Sequence, residues 1–138
     1  MTTKNPAVND PPPRLSTLFF FSLLGLFAFD LLGIGRNFSK AHRFLRRGIT
    51  AERTYPEEVI AGVCQAVNLA SIWYPKQVRC LQRSMVTTTL LRRYGVPAHM
   101  AVGAQNVPFK AHAWTEVNGK AINERNDVQK IYSVWERC

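Results

Sequence analysis

The second half of the sequence contains residues whose types and order could form a thiol nucleophile site: Cys80, His112 and the pair Asn123-Glu124. Cys80 opens a segment with helical patterning, and a helix start presents unpaired N–H groups and the positive end of the helix dipole. Both stabilise a thiolate relative to a thiol. A histidine can accept the thiol proton, and a carboxylate or amide just past a tight turn can fix its tautomer. If the fold brings these side chains together, we expect nucleophilic catalysis by Cys80.

Each of these residues also has an ordinary structural explanation. A cysteine or a strand histidine that occurs alone belongs to the core more often than to a catalytic site. Cys64 is such a case, since it lies on the apolar stripe of a predicted helix, where a thiol acts as a small hydrophobe. Trp114, two residues after His112, could shield the imidazole from water or fill the core. The combination of a cysteine that opens a helix with a strand histidine is more informative than either residue.

An anionic intermediate formed at Cys80 needs hydrogen-bond donors. The backbone N–H of Cys80 is the first candidate, because N–H groups in the first turn of a helix have no intrahelical acceptor. Gln77, in the loop before the predicted helix, is the second candidate.

The composition indicates one globular domain with a packed core. The chain has 138 residues, of which 46% are apolar and 20% are charged.

The net charge of the chain is +9, and the charged residues are spread along the sequence without aromatic interleaving or a nucleic-acid motif. We therefore expect no nucleic-acid partner. Three cysteines are too few for a disulfide framework and indicate a reducing, cytoplasmic compartment. The three histidines lack metal-binding spacing, so we expect no metal site.

The N-terminal part of the sequence differs in character from the rest. Residues 1–14 contain a run of three prolines and predict a disordered tail. Residues 15–50 predict an apolar helix and an amphipathic helix, and residues 51–138 predict the catalytic domain. The segment 15–34 approaches the length of a membrane span, but it contains Asp30. We favour a buried or surface-seeking helix, and keep a membrane segment, which would span or lie on a membrane and tether the protein to it, as the alternative.

The later segments predict two helices followed by an antiparallel sheet. Residues 54–57 have the pattern of a capping box that starts one helix. The next helix runs from Cys80 to Tyr94 and ends at Gly95. Strands are predicted at 98–104, 111–117 and 120–124, with residues 105–110 as a loop. Helices first and antiparallel strands afterwards indicate an α+β fold.

Five segments of the sequence match a known family and occur in that family's order. They are CLQRS at 80–84, RRYGVPA at 92–98, MAVGA at 100–104, PFKAHAWTEVNGKAIN at 108–123 and IYSVWER at 131–137. Together they resemble the transglutaminase-like leader peptidases of lasso-peptide biosynthesis. The resemblance covers residues 55–137. The intervals of 32 residues from Cys80 to His112 and 12 residues from His112 to Glu124 are also similar to the family's.

The resemblance implies a papain-like core and a cysteine peptidase that removes the leader from a ribosomally made precursor. It assigns Cys80 as the nucleophile, His112 as the general base and acid, and Glu124 as the third member, where the family usually has Asp. It implies no metal or organic cofactor. The implied partners are the precursor peptide, a separate leader-binding protein and the ring-forming cyclase, because no leader-binding domain fits ahead of residue 55. The alternative is a catalytically weak member that acts as a binding module in peptide maturation.

The turn Asn118-Gly119 decides which side chain shares a face of the sheet with His112. In a two-residue type I′ turn, Glu124 would face away from His112. In a three-residue turn with a bulge, Glu124 would lie opposite His112. We predict the bulged turn with Glu124 as the orienting group, and keep Asn123 as the alternative in a Cys-His-Asn arrangement.

Overall fold

The structure, a computed structural model, describes residues 13–33, 37–46, 57–106, 108–122 and 128–138. Its elements are α1 (Leu15–Leu31), α2 (Phe38–Arg46), α3 (Glu57–Trp73), α4 (Cys80–Arg93), β1 (Ala98–Asn106), β2 (Phe109–Val117), β3 (Lys120–Ile122), α5 (Val128–Ile131) and β4 (Ser133–Arg137). Most of the predicted tail and of the predicted capping box lies outside the described residues. Helices precede a four-stranded antiparallel sheet, so the predicted α+β fold is confirmed.

Helices α1, α3 and α4 share one apolar core. The side chains they bury include Leu18, Leu26 and Phe29 of α1, Val63 and Val67 of α3, and Met85 and Leu91 of α4. A hydrogen bond from the Gln82 side chain to the backbone oxygen of Leu26, 2.8 Å long, also ties α4 to α1. The apolar helix of the N-terminal region therefore packs directly against the helix that carries Cys80.

The outward face of α1 is apolar as well. Four side chains at helical spacing are between 48% and 89% exposed: Phe20, Leu24, Phe27 and Leu31. Asp30, the charge within this segment, accepts hydrogen bonds from the Tyr74 hydroxyl at 2.9 Å and the Lys76 ammonium at 3.2 Å. Across the part of the chain that the structure describes, no helix combines the length and apolarity needed to cross a bilayer.

The sheet has the strand order β3-β2-β1-β4, with all neighbours antiparallel. The ladder between β1 and β2 runs from the pair Ala98 and Val117 to the pair Asn106 and Phe109. The predicted loop at 105–110 is therefore too long, because backbone pairing continues almost to the end of the hairpin. Strand β4 lies on the other side of β1 and was not predicted.

The turn between β2 and β3 has two residues. Asn118 and Gly119 have φ values of 53° and 75°, the left-handed pair that a type I′ turn requires. Val117 pairs with Lys120 and Thr115 with Ile122. The prediction of a bulged three-residue turn is wrong, because asparagine also tolerates a left-handed backbone and the I′ turn follows the twist of the strands.

One face of β2 is joined to α4 by buried hydrogen bonds. The Ser84 hydroxyl donates to the backbone oxygen of Ala113 at 3.0 Å. The hydroxyls of Thr88 and Thr115 lie 3.2 Å apart, and that of Thr115 also donates to the backbone oxygen of Ser84. These bonds hold the middle of α4, from Ser84 to Thr88, against the middle of β2, next to His112.

Candidate active site

Cys80 is the first residue of α4. Arg79 precedes it with an extended backbone, and the Arg79 carbonyl accepts a hydrogen bond from the backbone N–H of Arg83 at 3.0 Å. The N–H of Cys80 therefore lies in the first turn, where the helix offers it no acceptor. The predicted helix start is confirmed, and the thiol is partly exposed.

The side chains of Cys80 and His112 are hydrogen-bonded to each other. This bond contributes most to lowering the pKa of the Cys80 thiol, while partial burial of the sulfur acts in the opposite direction. The net result is a pKa below the ordinary value for cysteine. A donor shared with the sulfur stabilises the thiolate more than the thiol, which is the electronic state that a nucleophilic cysteine needs.

The backbone of Ala113 makes a second hydrogen bond to the Cys80 sulfur. Because this bond lowers the thiol pKa, the group from Ala113 must be the donor, its N–H. The Ala113 carbonyl accepts from the Ser84 hydroxyl one turn further along α4. Both backbone groups of Ala113 thus point at α4, and this residue sets the distance between the nucleophile and the strand that carries His112.

The other two cysteines have thiols of the opposite character. Burial raises the pKa of Cys64 to about 11, against a smaller lowering by the charge of Arg83. Burial also raises the pKa of Cys138, which is the buried neighbour of Met100 at the edge of the sheet. Cys64 is half-buried and lies outside the apolar core, so its predicted place on the buried stripe is met only in part. Cys80 is the one cysteine of the three whose pKa is lowered.

The His112 imidazole packs against two aromatic rings. The Trp114 ring lies 6.1 Å from it, centroid to centroid, at an angle of 26° between the planes. The Tyr132 ring lies 5.4 Å away at 34°. Trp114 is completely buried. It therefore both fills the core and covers part of the imidazole, the two roles that the sequence left open.

Comparison with known protein families gives a match over most of the sequence. A family model described as the transglutaminase-like superfamily matches residues 23–136, which is most of the chain. The chain belongs to the transglutaminase-like superfamily. This transglutaminase-like chain is also similar to the microcin J25-processing protein McjB of Escherichia coli, with 33% identity over 55 residues. The match covers 40% of this chain and 26% of McjB, so the chain spans about a quarter of that relative's length. No solved structure matches the chain.

Glu116, a charged residue on the strand that carries His112, was not predicted from the sequence to belong to the site. Its side chain is 2% exposed and lies on the same face of β2 as His112 and Trp114. Its carboxylate accepts three hydrogen bonds, from the Trp114 indole N–H at 3.0 Å, the Gln129 amide at 2.9 Å and the Arg137 guanidinium at 2.8 Å. The alternation His112, Trp114, Glu116 in the strand is the sequence signal that could have identified it.

The structure places only some of the other predicted site residues. Gln77 lies in the loop before α4 and is exposed, and its role as an oxyanion donor stays a prediction. Asn123 and Glu124 lie outside the described residues. The register from Thr115 to Ile122 is the one in which Glu124 was expected to face away from His112. The strand geometry used to choose Glu124 over Asn123 therefore no longer supports that choice.

Proposed function

We propose that this chain is a cysteine peptidase that removes the leader from a ribosomally made lasso-peptide precursor. The observation that carries the proposal is the hydrogen bond between Cys80 and His112, with the thiol pKa lowered by it. Membership of the transglutaminase-like superfamily supports the fold that such a site needs. The name of McjB, a processing protein for microcin J25, supports the substrate class.

The proposed reaction is acyl transfer through a thioester. The Cys80 sulfur attacks the carbonyl carbon of the bond to be cleaved, and the carbonyl oxygen becomes an oxyanion near the Cys80 N–H. Collapse of this intermediate breaks the carbon–nitrogen bond, and His112 donates a proton to the leaving amine. Water, deprotonated by His112, then hydrolyses the thioester. The products are the leader and the core peptide, and the free thiol of Cys80 is restored.

We propose Glu124 as the group that orients His112. Its support is the family position carried by the sequence resemblance, together with its charge, because a carboxylate stabilises an imidazolium better than an amide does. The register of the described turn favours Asn123 instead. The two residues therefore have separate supporting arguments, and matched variants can distinguish them.

The proposed partners follow from the same reaction. They are the precursor peptide, a separate protein that binds the leader, and the cyclase that closes the ring on the released core.

Contact of α1 with a membrane surface is a further proposal, supported by the exposed apolar side chains of its outward face. The proposed location is the cytoplasm, in keeping with three cysteines that are all free.

The test is leader removal from a synthetic precursor in the presence of the leader-binding protein, followed by mass spectrometry. The Cys80→Ala variant should lose cleavage completely, and His112→Ala should lose about 10²- to 10⁴-fold in rate. Cys64→Ala is the matched control, since its thiol pKa is about 11 and it should keep near wild-type cleavage. Unchanged cleavage by Cys80→Ala would refute the proposal. A wild-type chain that binds the precursor without cleaving it would instead support a binding module.

A further inference from the structure

We propose that Glu116 is a positioning residue, which holds Trp114 in place against His112 and so keeps the imidazole aligned with Cys80. This inference rests on the proposed role of the Cys80–His112 pair in peptide cleavage. The chain of contacts is direct: Glu116 accepts from the Trp114 indole N–H at 3.0 Å, and the Trp114 ring is stacked on the His112 ring at 6.1 Å.

A buried carboxylate at this position requires an explanation, because removing a charge from water is unfavourable unless hydrogen bonds compensate. Burial of Glu116 raises its pKa, but hydrogen bonds from Arg137, Gln129 and Trp114 outweigh this effect, and the pKa is lowered overall. The three hydrogen bonds therefore favour the ionised form of the Glu116 carboxyl. An apolar side chain could be buried at this position without any hydrogen-bond donor. The presence of three donors around Glu116 is therefore the feature that requires an explanation.

The donors come from three different parts of the chain. Trp114 belongs to β2, Gln129 to α5 and Arg137 to β4. Gln129 also donates to the backbone oxygen of Gly119 at 2.9 Å, which links the carboxylate to the β2–β3 turn. Glu116 thus links β2, α5 and β4 on the face of β2 that carries His112 and Trp114.

Trp114 connects Glu116 to the His112 imidazole. Its ring contacts both His112 and Tyr132, and Tyr132 contacts His112 from its own side. The indole N–H has its acceptor in Glu116, so the carboxylate determines the rotamer of the ring that the imidazole packs against. Without that acceptor, we expect the Trp114 ring to tilt and the hydrogen bond between His112 and Cys80 to be populated less.

The experiment measures alkylation of Cys80 by iodoacetamide as a function of pH in the full chain, with the melting temperature recorded in parallel. Glu116→Met keeps roughly the length of the side chain but removes the oxygens that accept from Trp114, Gln129 and Arg137. Leu91→Val is the control, since Leu91 is buried in the helical core near the other end of α4, roughly 16 Å along the helix from Cys80. Trp114→Phe removes only the indole N–H and part of the ring, and serves as a second variant.

We expect Glu116→Met and Trp114→Phe each to raise the midpoint of the Cys80 alkylation profile by about half a pH unit or more. Alkylation below the midpoint should then slow by roughly 3- to 10-fold, since one pKa unit changes the thiolate fraction about tenfold. The double variant should shift the midpoint no further than the larger single effect. Leu91→Val should lower the melting temperature without moving the midpoint.

The inference is overturned if Glu116→Met lowers the melting temperature but leaves the alkylation midpoint where it is. It is also overturned if Trp114→Phe has no effect on the midpoint or if the two shifts add. Failure of the proposed function looks different: the wild-type chain would leave a synthetic precursor uncleaved while the alkylation shifts occur as expected.

Discussion

Gly103 lies directly opposite His112 in the antiparallel pair of β1 and β2. A Cβ atom at Gly103 would lie 2.7 Å from the backbone oxygen of Ser133 and 2.8 Å from the Trp114 ring. Both distances are shorter than atoms tolerate. The missing side chain therefore lets β4 and the Trp114 ring approach β1 beside the imidazole.

Replacing Gly103 by Ala should force β4 or Trp114 away from β1. We expect a loss of about 1–3 kcal/mol in the free energy of unfolding, as in other overpacked sites, and a higher midpoint for alkylation of Cys80. Denaturant unfolding and the alkylation profile measure the two effects.

Gly62→Ala is the control, because its Cβ would meet only the flexible end of Leu18 at 3.3 Å. Gly62 lies inside a helix, so that variant should be neutral or up to about 1 kcal/mol more stable. Equal losses in both variants would contradict the crowding at Gly103.

The three cysteines should react with iodoacetamide at very different rates near neutral pH. The thiol pKa of Cys80 is lowered by its hydrogen bond to His112, whereas burial raises the pKa of Cys64 to about 11 and also raises that of Cys138. We expect Cys80 to react at least about 100-fold faster than Cys64, because the thiolate is the reacting species. Peptide mapping by mass spectrometry gives the rate at each site. If Cys80 reacts no faster than the other two, its thiolate is not stabilised.

Removing the Arg137 side chain should destabilise the protein in a pH-dependent way. Glu116 has a lowered pKa in the fold, so its interactions stabilise the protein above the ordinary glutamic acid range and are lost as the pH falls through the folded pKa. Arg137 is 54% exposed, so we expect Arg137→Gln to cost about 1–2 kcal/mol at neutral pH. The difference from wild type should shrink in acid.

Thermal unfolding between pH 3 and pH 7 measures this difference. Lys76→Gln is the control, since Lys76 is 61% exposed in its ion pair with Asp30 and should cost less than about 1 kcal/mol. A cost for Arg137→Gln that is the same at every pH would show that the charge of Glu116 is not involved.

The third member of the site can be identified by comparing Glu124→Gln with Asn123→Ala. With Glu124 as the orienting group, we expect Glu124→Gln to lower the cleavage rate about 10- to 100-fold, because the imidazolium loses its counter-charge. Asn123→Ala should then keep most of the activity. Single-turnover cleavage of a precursor measures the chemical step. The reverse order of effects would assign the role to Asn123, in agreement with the observed register of the turn.

The apolar outward face of α1 should give the protein an affinity for lipid if the proposed membrane contact exists. We expect the full chain to float with vesicles of phosphatidylglycerol and phosphatidylcholine, and a Phe20→Ser, Leu24→Ser double variant to remain behind. Both residues are about two-thirds exposed, so the fold should tolerate the change. Phe109→Ser, which alters an equally exposed aromatic side chain on the sheet, is the control and should still float. A wild-type chain that stays out of the vesicle fraction would exclude this contact.

Much of this protein could be read from its sequence because local chemistry determines it. Helical spacing and the glycine stop gave the limits of the helix 80–94 to within one residue, and alternation placed His112 in a strand. The pairing of Cys80 with His112 was expected from the resemblance to the leader-peptidase family, because the spacing of the two residues alone could not show that they touch.

Only the tertiary structure decided the register of the hairpin, the position of β4 and the burial of Glu116. Asn118-Gly119 is compatible with two turn types, so its sequence alone could not select one. Strand β4 pairs with β1, which lies far from it along the chain, and local patterning contains no information about such a partner. Glu116 is stable in the interior because Arg137 and Gln129 reach it from two other elements. Nothing in the strand itself shows that a carboxylate would be compensated there, because the compensating donors are brought to it by folding.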